Sequence, residues 1–145
     1  MTFHRSHSIA ASPLLAVGSL LGYAGHAHAG DVSNAQLGCY VDTYAYDQTT
    51  TDYCASAWTP NTANNPTVAV FQVVGLPAGS YTYTWTDLKT GQTGVCSSGT
   101  NYCTRPIRIV AARDGTASMQ VTVLDTQTGA SKTVSAEAEF IDAYH

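Results

Sequence analysis

The interpretation of this sequence depends on residues 68–87, which read V-A-V-F-Q-V-V-G-L-P-A-G-S-Y-T-Y-T-W-T-D. Two runs typical of β-strands flank a turn at residues 75–79. In the second run, Tyr81, Tyr83 and Trp85 alternate with threonines. Successive side chains of a strand point to opposite faces, so these three rings form one stripe that needs burial. The stretch therefore predicts a strand pair whose aromatic face is covered by other strands.

Residues 1–29 have the pattern of a cleaved signal peptide. A short basic start that includes Arg5 precedes an apolar run at residues 9–24, and Ala27-His28-Ala29 matches a small-x-small cleavage site. The apolar run is shorter than the ~20 residues that a transmembrane helix needs. An uncleaved amphipathic anchor is the alternative. We predict cleavage before Gly30, which leaves residues 30–145 as a single exported domain.

The predicted mature chain is acidic. It keeps all ten carboxylates but only five basic residues, for a net charge of 5 − 10 = −5. Such a chain cannot neutralise a run of phosphates, which argues against nucleic acid and against an anionic membrane as partners after signal cleavage. The basic residues are scattered along the chain: Lys89, Arg105, Arg108, Arg113 and Lys132.

The four cysteines predict two disulfides, since an even number in an exported chain favours pairing. We predict the local pairs Cys39–Cys54 and Cys96–Cys103, although two other pairings are formally possible. The second pair brackets a turn-rich segment, S-S-G-T-N-Y, whose ends a hairpin-like turn would bring together. No C-x-x-C spacing is present, so the sequence favours neither a zinc site nor a redox site.

Further alternating runs predict the remaining strands. The first covers residues 39–46, and others cover residues 107–110, 118–125 and 133–141, with turns about every 10 residues. Residues 31–38 are predicted to be loose and residues 47–67 to form a long loop, interrupted by a short segment at 54–58. The pattern is that of an all-β, antiparallel, immunoglobulin-like sandwich of about seven strands. The predicted core contains Trp85, Tyr83, Phe71, Val121, Val123 and Phe140.

From about residue 68 to residue 140, the chain resembles the immunoglobulin-like and PKD-like modules of bacterial surface proteins. The likeness lies in Tyr83-Thr-Trp85, in Asp114-Gly115 followed by V-T-V-L-D at 121–125, and in Gly129 before an alternating last strand. This resemblance implies a sandwich that serves adhesion, binding or spacing and that rarely catalyses a reaction.

Aromatic residues outside the predicted core give the main indication of a binding site. Exposed rings stack on sugars and anchor protein partners at a low entropic cost. The alternative is that they cover the second sheet beneath the long loop. The candidate binding residues are Tyr40, Tyr44, Tyr46, Tyr53, Trp58 and Tyr102.

Catalytic and metal-binding patterns are weak in the predicted mature chain. His145 is the only histidine after residue 29, and no G-x-S-x-G motif occurs. Glu137 and Glu139 share a strand face at a spacing that glycosidases use, but we interpret them as charges that protect a last, edge strand. Asp42, Asp47 and Asp52 lack the spacing of a calcium loop. A row of threonines at 82, 84 and 86 resembles ice-binding surfaces, but one strand does not make an array.

The sequence therefore predicts a secreted, non-enzymatic binding or adhesion module, periplasmic or extracellular, with no metal and no cofactor. Its expected partner is a protein or a glycan at the cell surface. A carbohydrate-binding module and a structural subunit of a surface assembly that donates or accepts a strand are the alternative functions.

Overall fold

A computed structural model describes residues 30–42, 48–57, 68–109 and 115–141. Within these ranges the chain is all β, and no helix in them is long and apolar enough to cross a bilayer. The strands are β1 (Gln36–Asp42), β2 (Thr50–Thr51), β3 (Tyr53–Ala57), β4 (Val68–Val74), β5 (Tyr81–Asp87), β6 (Tyr102–Pro106), β7 (Arg108–Ile109), β8 (Gly115–Asp125) and β9 (Ser131–Ile141).

The strands form two sheets, an arrangement consistent with a β-sandwich. The first sheet has the order β2-β1-β4-β6, and the second has the order β3-β9-β8-β5, with β7 paired to β8. Every pair in the two sheets is antiparallel except β3–β9, which is parallel. Because the chain leaves the first sheet after β2 and joins the second at β3, its N-terminal part contributes strands to both sheets.

The core lies between the sheets and is built by the alternation that the sequence shows. Trp85 of β5 is fully buried, and its indole Nε1 donates a hydrogen bond to the carbonyl of Thr100 at 3.3 Å. Phe71 comes from the first sheet and Phe140 from the second, and both are fully buried. The other predicted core residues, Tyr83, Val121 and Val123, are buried as well.

The two disulfides have the predicted local pairing, and each lies at one lateral side of the two sheets. Cys39 of β1 is joined to Cys54 of β3, so this bond links the two sheets directly. Cys96 is joined to Cys103 of β6. The segment that holds Cys96 runs along the free edge of β5, where Gly94 N–H donates to the Trp85 carbonyl and Tyr83 N–H to the Ser98 carbonyl. An oxidising compartment is compatible with both bonds.

Two hairpin turns share the motif D-x-x-T-G and the same hydrogen bonds. Asp87 begins the turn after β5 and Asp125 the turn after β8. In each, the glycine at the fifth position donates its N–H to the aspartate carbonyl, and it has a φ of 71° at Gly91 and 74° at Gly129. In each, the aspartate Oδ1 accepts a hydrogen bond from the N–H two residues later. Since β5 and β8 are antiparallel, the two turns lie at opposite ends of the second sheet.

The structure corrects three sequence predictions. β1 begins at Gln36, inside the segment predicted to be loose, because Ala35 and Leu37 are both fully buried. The short segment predicted to interrupt the long loop overlaps β3 (Tyr53–Ala57), and the parallel pairing of β3 with β9 departs from the expected all-antiparallel order. β9 is not an edge strand, because it lies between β3 and β8.

Candidate functional site

The outward side chains of the first sheet form a face with few charges, which we call the tyrosine face. In β1, Leu37, Cys39 and Val41 point inward, so Tyr40 points outward, and the same alternation continues through β4 and β6. Among the described residues of this face, Asp42 is the only charged one. Its main members are Tyr40, Val68, Val70, Gln72, Val74, Tyr102, Thr104 and Pro106.

Strand register fixes how the two tyrosines of this face are spaced. Val70 of β4 lies opposite both Tyr40 of β1 and Thr104 of β6, and Gln72 lies opposite Tyr102. Tyr40 and Tyr102 therefore flank β4 and are offset by one side-chain row. Neighbouring strands are about 4.8 Å apart, so the two side chains are separated by about 10 Å across the sheet. Tyr102 is 54% exposed, Tyr40 is half-buried, and the valines between them are half-buried.

The outward side of the second sheet has a different chemistry and is rich in hydroxyl groups. The side-chain oxygens of Thr122 and Thr133 lie 2.8 Å apart across β8 and β9, and those of Thr86 and Thr93 lie 3.3 Å apart. This hydroxyl face extends the threonine row beyond the single strand that the sequence identified. Its members include Thr82, Thr84, Thr86, Thr116, Ser118, Thr122, Ser131, Thr133 and Ser135.

Tyr53 and the two glutamates lie at the β3–β9 side of the hydroxyl face. The Tyr53 hydroxyl donates a hydrogen bond to the Glu139 carboxylate, and the Ser118 hydroxyl donates to Glu137 at 2.7 Å. The bond to Glu139 is the main reason that the pKa of Tyr53 is raised above its ordinary value. Each carboxylate therefore accepts a hydrogen bond from a neighbouring hydroxyl group, and since β9 is an internal strand, their interpretation as edge protection is wrong.

The structure separates the aromatic residues that the sequence placed in one group. Tyr40 and Tyr102 share the tyrosine face, whereas Tyr53 belongs to the other sheet. Tyr44, Tyr46 and Trp58 lie outside the described residues. Val70 and Gln72 were not predicted to belong to a site, although the alternation of β4 already puts both on the face opposite Phe71.

A pocket of about 360 Å³ opens near the Asp87 turn, between the end of β5 and the end of β6. It contains the ion pair between the Arg105 guanidinium and the Asp87 carboxylate, at 2.7 Å. Burial opposes ionisation of Asp87, but the hydrogen bonds from Arg105 and from the N–H groups of Lys89 and Thr90 outweigh it and lower its pKa. Both carboxylate oxygens thus have partners, so the pair holds the two sheets together and offers no free acid or base.

In the part of the chain that the structure describes, no three His, Cys, Asp or Glu side chains come together. Of the three aspartates considered for calcium, Asp42 ends β1, Asp52 lies between β2 and β3, and Asp47 lies outside the described ranges.

Comparison with known proteins gives no relative: no family model, no curated protein and no solved structure matches this chain.

Proposed function

We propose that this chain is an exported, non-enzymatic binding module whose recognition surface is the tyrosine face. The observation that carries the proposal is the contrast between the two sheets. One outer face combines two tyrosine rings with half-buried valines and a single charge among its described residues. The other consists mainly of hydroxyl and carboxylate groups, with Leu124 and Tyr53 as its exposed large hydrophobic residues among those described. Apolar and aromatic area with few charges is typical of the centre of a binding surface.

The strand order supports an immunoglobulin-like assignment for the module. In such sandwiches, strands A, B and E share one sheet and strands C, F and G share the other. β1, β4 and β6 correspond to the first set, and β5, β8 and β9 to the second.

A glycan chain is the ligand class that fits this face best. Sugar rings present apolar faces that stack on tyrosine and polar edges that need hydrogen-bond partners. Gln72 and Thr104 are exposed and lie beside Tyr102 and Val70, so amide and hydroxyl groups are available next to the rings. Because the two tyrosines stand on strands two places apart, an extended chain of sugars could contact both. A surface protein is the second candidate, since exposed tyrosines also anchor proteins.

The test is retention of the exported protein on insoluble cellulose, chitin and peptidoglycan, followed by titration with soluble fragments of whichever one binds. We expect Tyr102→Ala to weaken binding about tenfold, equivalent to about 1.4 kcal/mol, because one stacking contact is lost. Tyr40→Ala should weaken it as well. Tyr53→Ala is the matched control, because this ring is also exposed but lies on the other sheet, and it should leave binding unchanged.

Two results would contradict the glycan assignment. If no polysaccharide retains the protein, the ligand is not a glycan of these classes. If Tyr53→Ala weakens binding and Tyr102→Ala does not, the binding surface lies on the second sheet. The protein alternative is tested with a photo-crosslinking residue at position 102 and, as a control, at position 53, in cells that export the chain. A crosslink confined to position 102 would support a protein ligand on the tyrosine face.

A further inference from the structure

The two D-x-x-T-G turns satisfy their aspartates with different groups. In the turn after β8, the Thr128 hydroxyl donates to Oδ2 of Asp125 at 2.8 Å, so the turn satisfies its own carboxylate. In the turn after β5, Oδ2 of Asp87 accepts instead from the Arg105 guanidinium, at 2.7 Å. Within the described residues, no hydrogen bond joins Asp87 to the side chain of Thr90, which has the position of Thr128 in this turn. Arg105 therefore replaces the threonine hydroxyl.

The hydroxyl group of Thr90 is left with a proton to donate. Its oxygen accepts a hydrogen bond from the Gln92 N–H at 3.3 Å, and its O–H has no acceptor among the residues that the structure describes. A hydroxyl group has one donor and two acceptor sites, so the donor stays available. Thr90 is exposed and lines the pocket between the ends of β5 and β6. The turn thus supplies this pocket with a free hydroxyl donor.

Two cations line the same pocket, Lys89 and Arg105. Among the described residues the one ion pair is Arg105–Asp87, so the ammonium group of Lys89 is not paired there. The bond to Asp87 uses Nη2 of Arg105, and a guanidinium has five N–H donors in all. The other oxygen of Asp87 accepts from the N–H groups of Lys89 and Thr90, at 2.9 and 3.2 Å, so the carboxylate is fully occupied. The three charged side chains of the lining leave a net charge of 2 − 1 = +1 in an acidic chain.

Backbone hydrogen bonds hold the turn that carries these groups. The Gly91 N–H donates to the Asp87 carbonyl at 2.8 Å, and the Leu88 N–H donates to the Ser118 carbonyl of β8 at 2.9 Å. Thr116, also from β8, adds a second hydroxyl group to the lining. Parts of β5, β6 and β8 thus meet at a site whose backbone is formed before a ligand binds. Preorganised donors lose less conformational entropy when a ligand binds.

We propose that this pocket binds a carboxylate or phosphate group of a ligand, through the Arg105 guanidinium, the Lys89 ammonium and the Thr90 hydroxyl. An ionised carboxylate is an acceptor only, and a phosphate group presents several acceptor oxygens, so either group matches a set of donors. Charge-assisted bonds from lysine and arginine to such anions are stronger than neutral hydrogen bonds. One anionic group fills the site, so the acidic net charge that argues against nucleic acid does not argue against this ligand.

The pocket adjoins the tyrosine face. Pro106 belongs to that face and also lines the pocket. A glycan that binds the tyrosine face and carries an acidic substituent can therefore contact both surfaces. The inference goes beyond the proposed function, and its chemistry holds whatever binds the tyrosine face.

The first measurement is a titration of the nitrogen-15-labelled protein with sodium acetate and, separately, with sodium phosphate, followed by amide chemical shifts. The pH and the ionic strength are held constant with buffer and sodium chloride, because salt screens all exposed charges. We expect saturable shifts at three residues of the lining, Lys89, Thr90 and Thr116, and none in the matching turn at residues 125–129. Saturation with acetate alone would assign a carboxylate, and saturation with phosphate alone a phosphate group. Shifts that do not saturate with either anion, or that saturate only elsewhere, would show adventitious contact only and would overturn the proposal.

Lys89→Gln is the most informative variant, because it gives this turn the residue that the other turn has at its third position, Gln127. It should weaken binding of the saturating anion about tenfold, since one charge-assisted bond is lost. Lys89→Arg keeps the charge and should bind nearly as tightly as the native protein. Lys132→Gln is the matched control, because it removes the same charge from a lysine that binds the Ser33 carbonyl instead, and it should leave binding unchanged. Equal losses in Lys89→Gln and Lys132→Gln would overturn the proposal, since only the net charge would then matter.

Two substitutions of Thr90 test the hydroxyl group. Thr90→Val keeps the branched shape without the O–H and should weaken anion binding severalfold, as the loss of one neutral hydrogen bond does. Thr90→Ser keeps the hydroxyl and should bind like the native protein. Thr128→Val is the control in the other turn: it removes the bond to Asp125, so it should lower the stability of the protein and leave anion binding unchanged. Unchanged binding in Thr90→Val would contradict the site as proposed.

Discussion

At the scale of single residues, the best-defined polar contact is the Arg105–Asp87 pair between the sheets. Arg105 belongs to β6 of the first sheet and Asp87 to β5 of the second, and their side chains are 25% and 13% exposed. A charge-assisted bond that is largely shielded from water is stronger than a surface ion pair, and removing one partner leaves the other unsatisfied.

We expect Asp87→Asn to lower the free energy of unfolding by about 1–3 kcal/mol at neutral pH. The folded pKa of Asp87 lies below its ordinary value of 3.8, so its contribution is present above that value and is lost as the pH falls through the folded pKa. Urea unfolding of both proteins between pH 7 and pH 3 tests this, because the difference between them should shrink below about pH 4. If the difference in unfolding free energy between the two proteins does not change with pH, the stabilisation by Asp87 is not electrostatic. The double variant Asp87→Asn/Arg105→Gln should lose less free energy of unfolding than the sum of the losses in the two single variants.

At the scale of elements, the same five-residue turn motif, D-x-x-T-G, occurs after β5 and after β8. The motif fixes an aspartate that binds its own turn and a glycine in the left-handed region, and both features are visible in the sequence. The sequence predicted turns at both places. What distinguishes the turns is the group that binds the second carboxylate oxygen. For Asp87 it is the Arg105 guanidinium, from a distant part of the chain, and for Asp125 it is the Thr128 hydroxyl of the turn itself.

Gly91→Ala and Gly129→Ala should destabilise the protein equally, by about 1 kcal/mol each, since a side chain in the left-handed region costs about 1–2 kcal/mol. Both positions are open, with no atom within 4 Å of the point where a Cβ would lie, so backbone strain is the sole penalty. Gly99→Ala is the control: its φ is not positive and its surroundings are open, so it should be close to neutral. Chemical denaturation gives the free energy of unfolding of each of the three variants for this comparison. Unequal losses at residues 91 and 129 would show that the turns are not equivalent.

At the scale of the whole molecule, the two disulfides lie at opposite lateral sides of the two sheets. Cys39–Cys54 ties β1 to β3, and Cys96–Cys103 ties the segment along β5 to β6. The two bonds close loops with separations of 15 and 7 residues. In the chain-entropy model such loops correspond to about 3 and about 2 kcal/mol, respectively.

We therefore expect Cys39→Ser/Cys54→Ser to destabilise the protein more than Cys96→Ser/Cys103→Ser, as measured by urea unfolding. Hydrogen exchange should show where the effect lies. Loss of Cys39–Cys54 should expose the amides of β3 first, because this short strand is held on one side by its parallel pairing with β9. Loss of Cys96–Cys103 should instead increase amide exchange in the segment that runs along β5. The reverse order of stability, or uniform exchange in both variants, would contradict this assignment.

The sequence by itself determined the all-β class, the inward and outward residues of β4, β5, β8 and β9 and the position of the turns, and it favoured the disulfide pairing that the structure has. These features depend on a period of two, on turn residues and on short loops, all of which are local. The tertiary structure alone decided that residues 53–57 pair in parallel with β9, that Tyr53 is on a different sheet from Tyr40 and Tyr102, and that Arg105 meets Asp87. Those contacts join residues far apart in the chain, and their free energy depends on which surfaces are buried together, which no local pattern specifies.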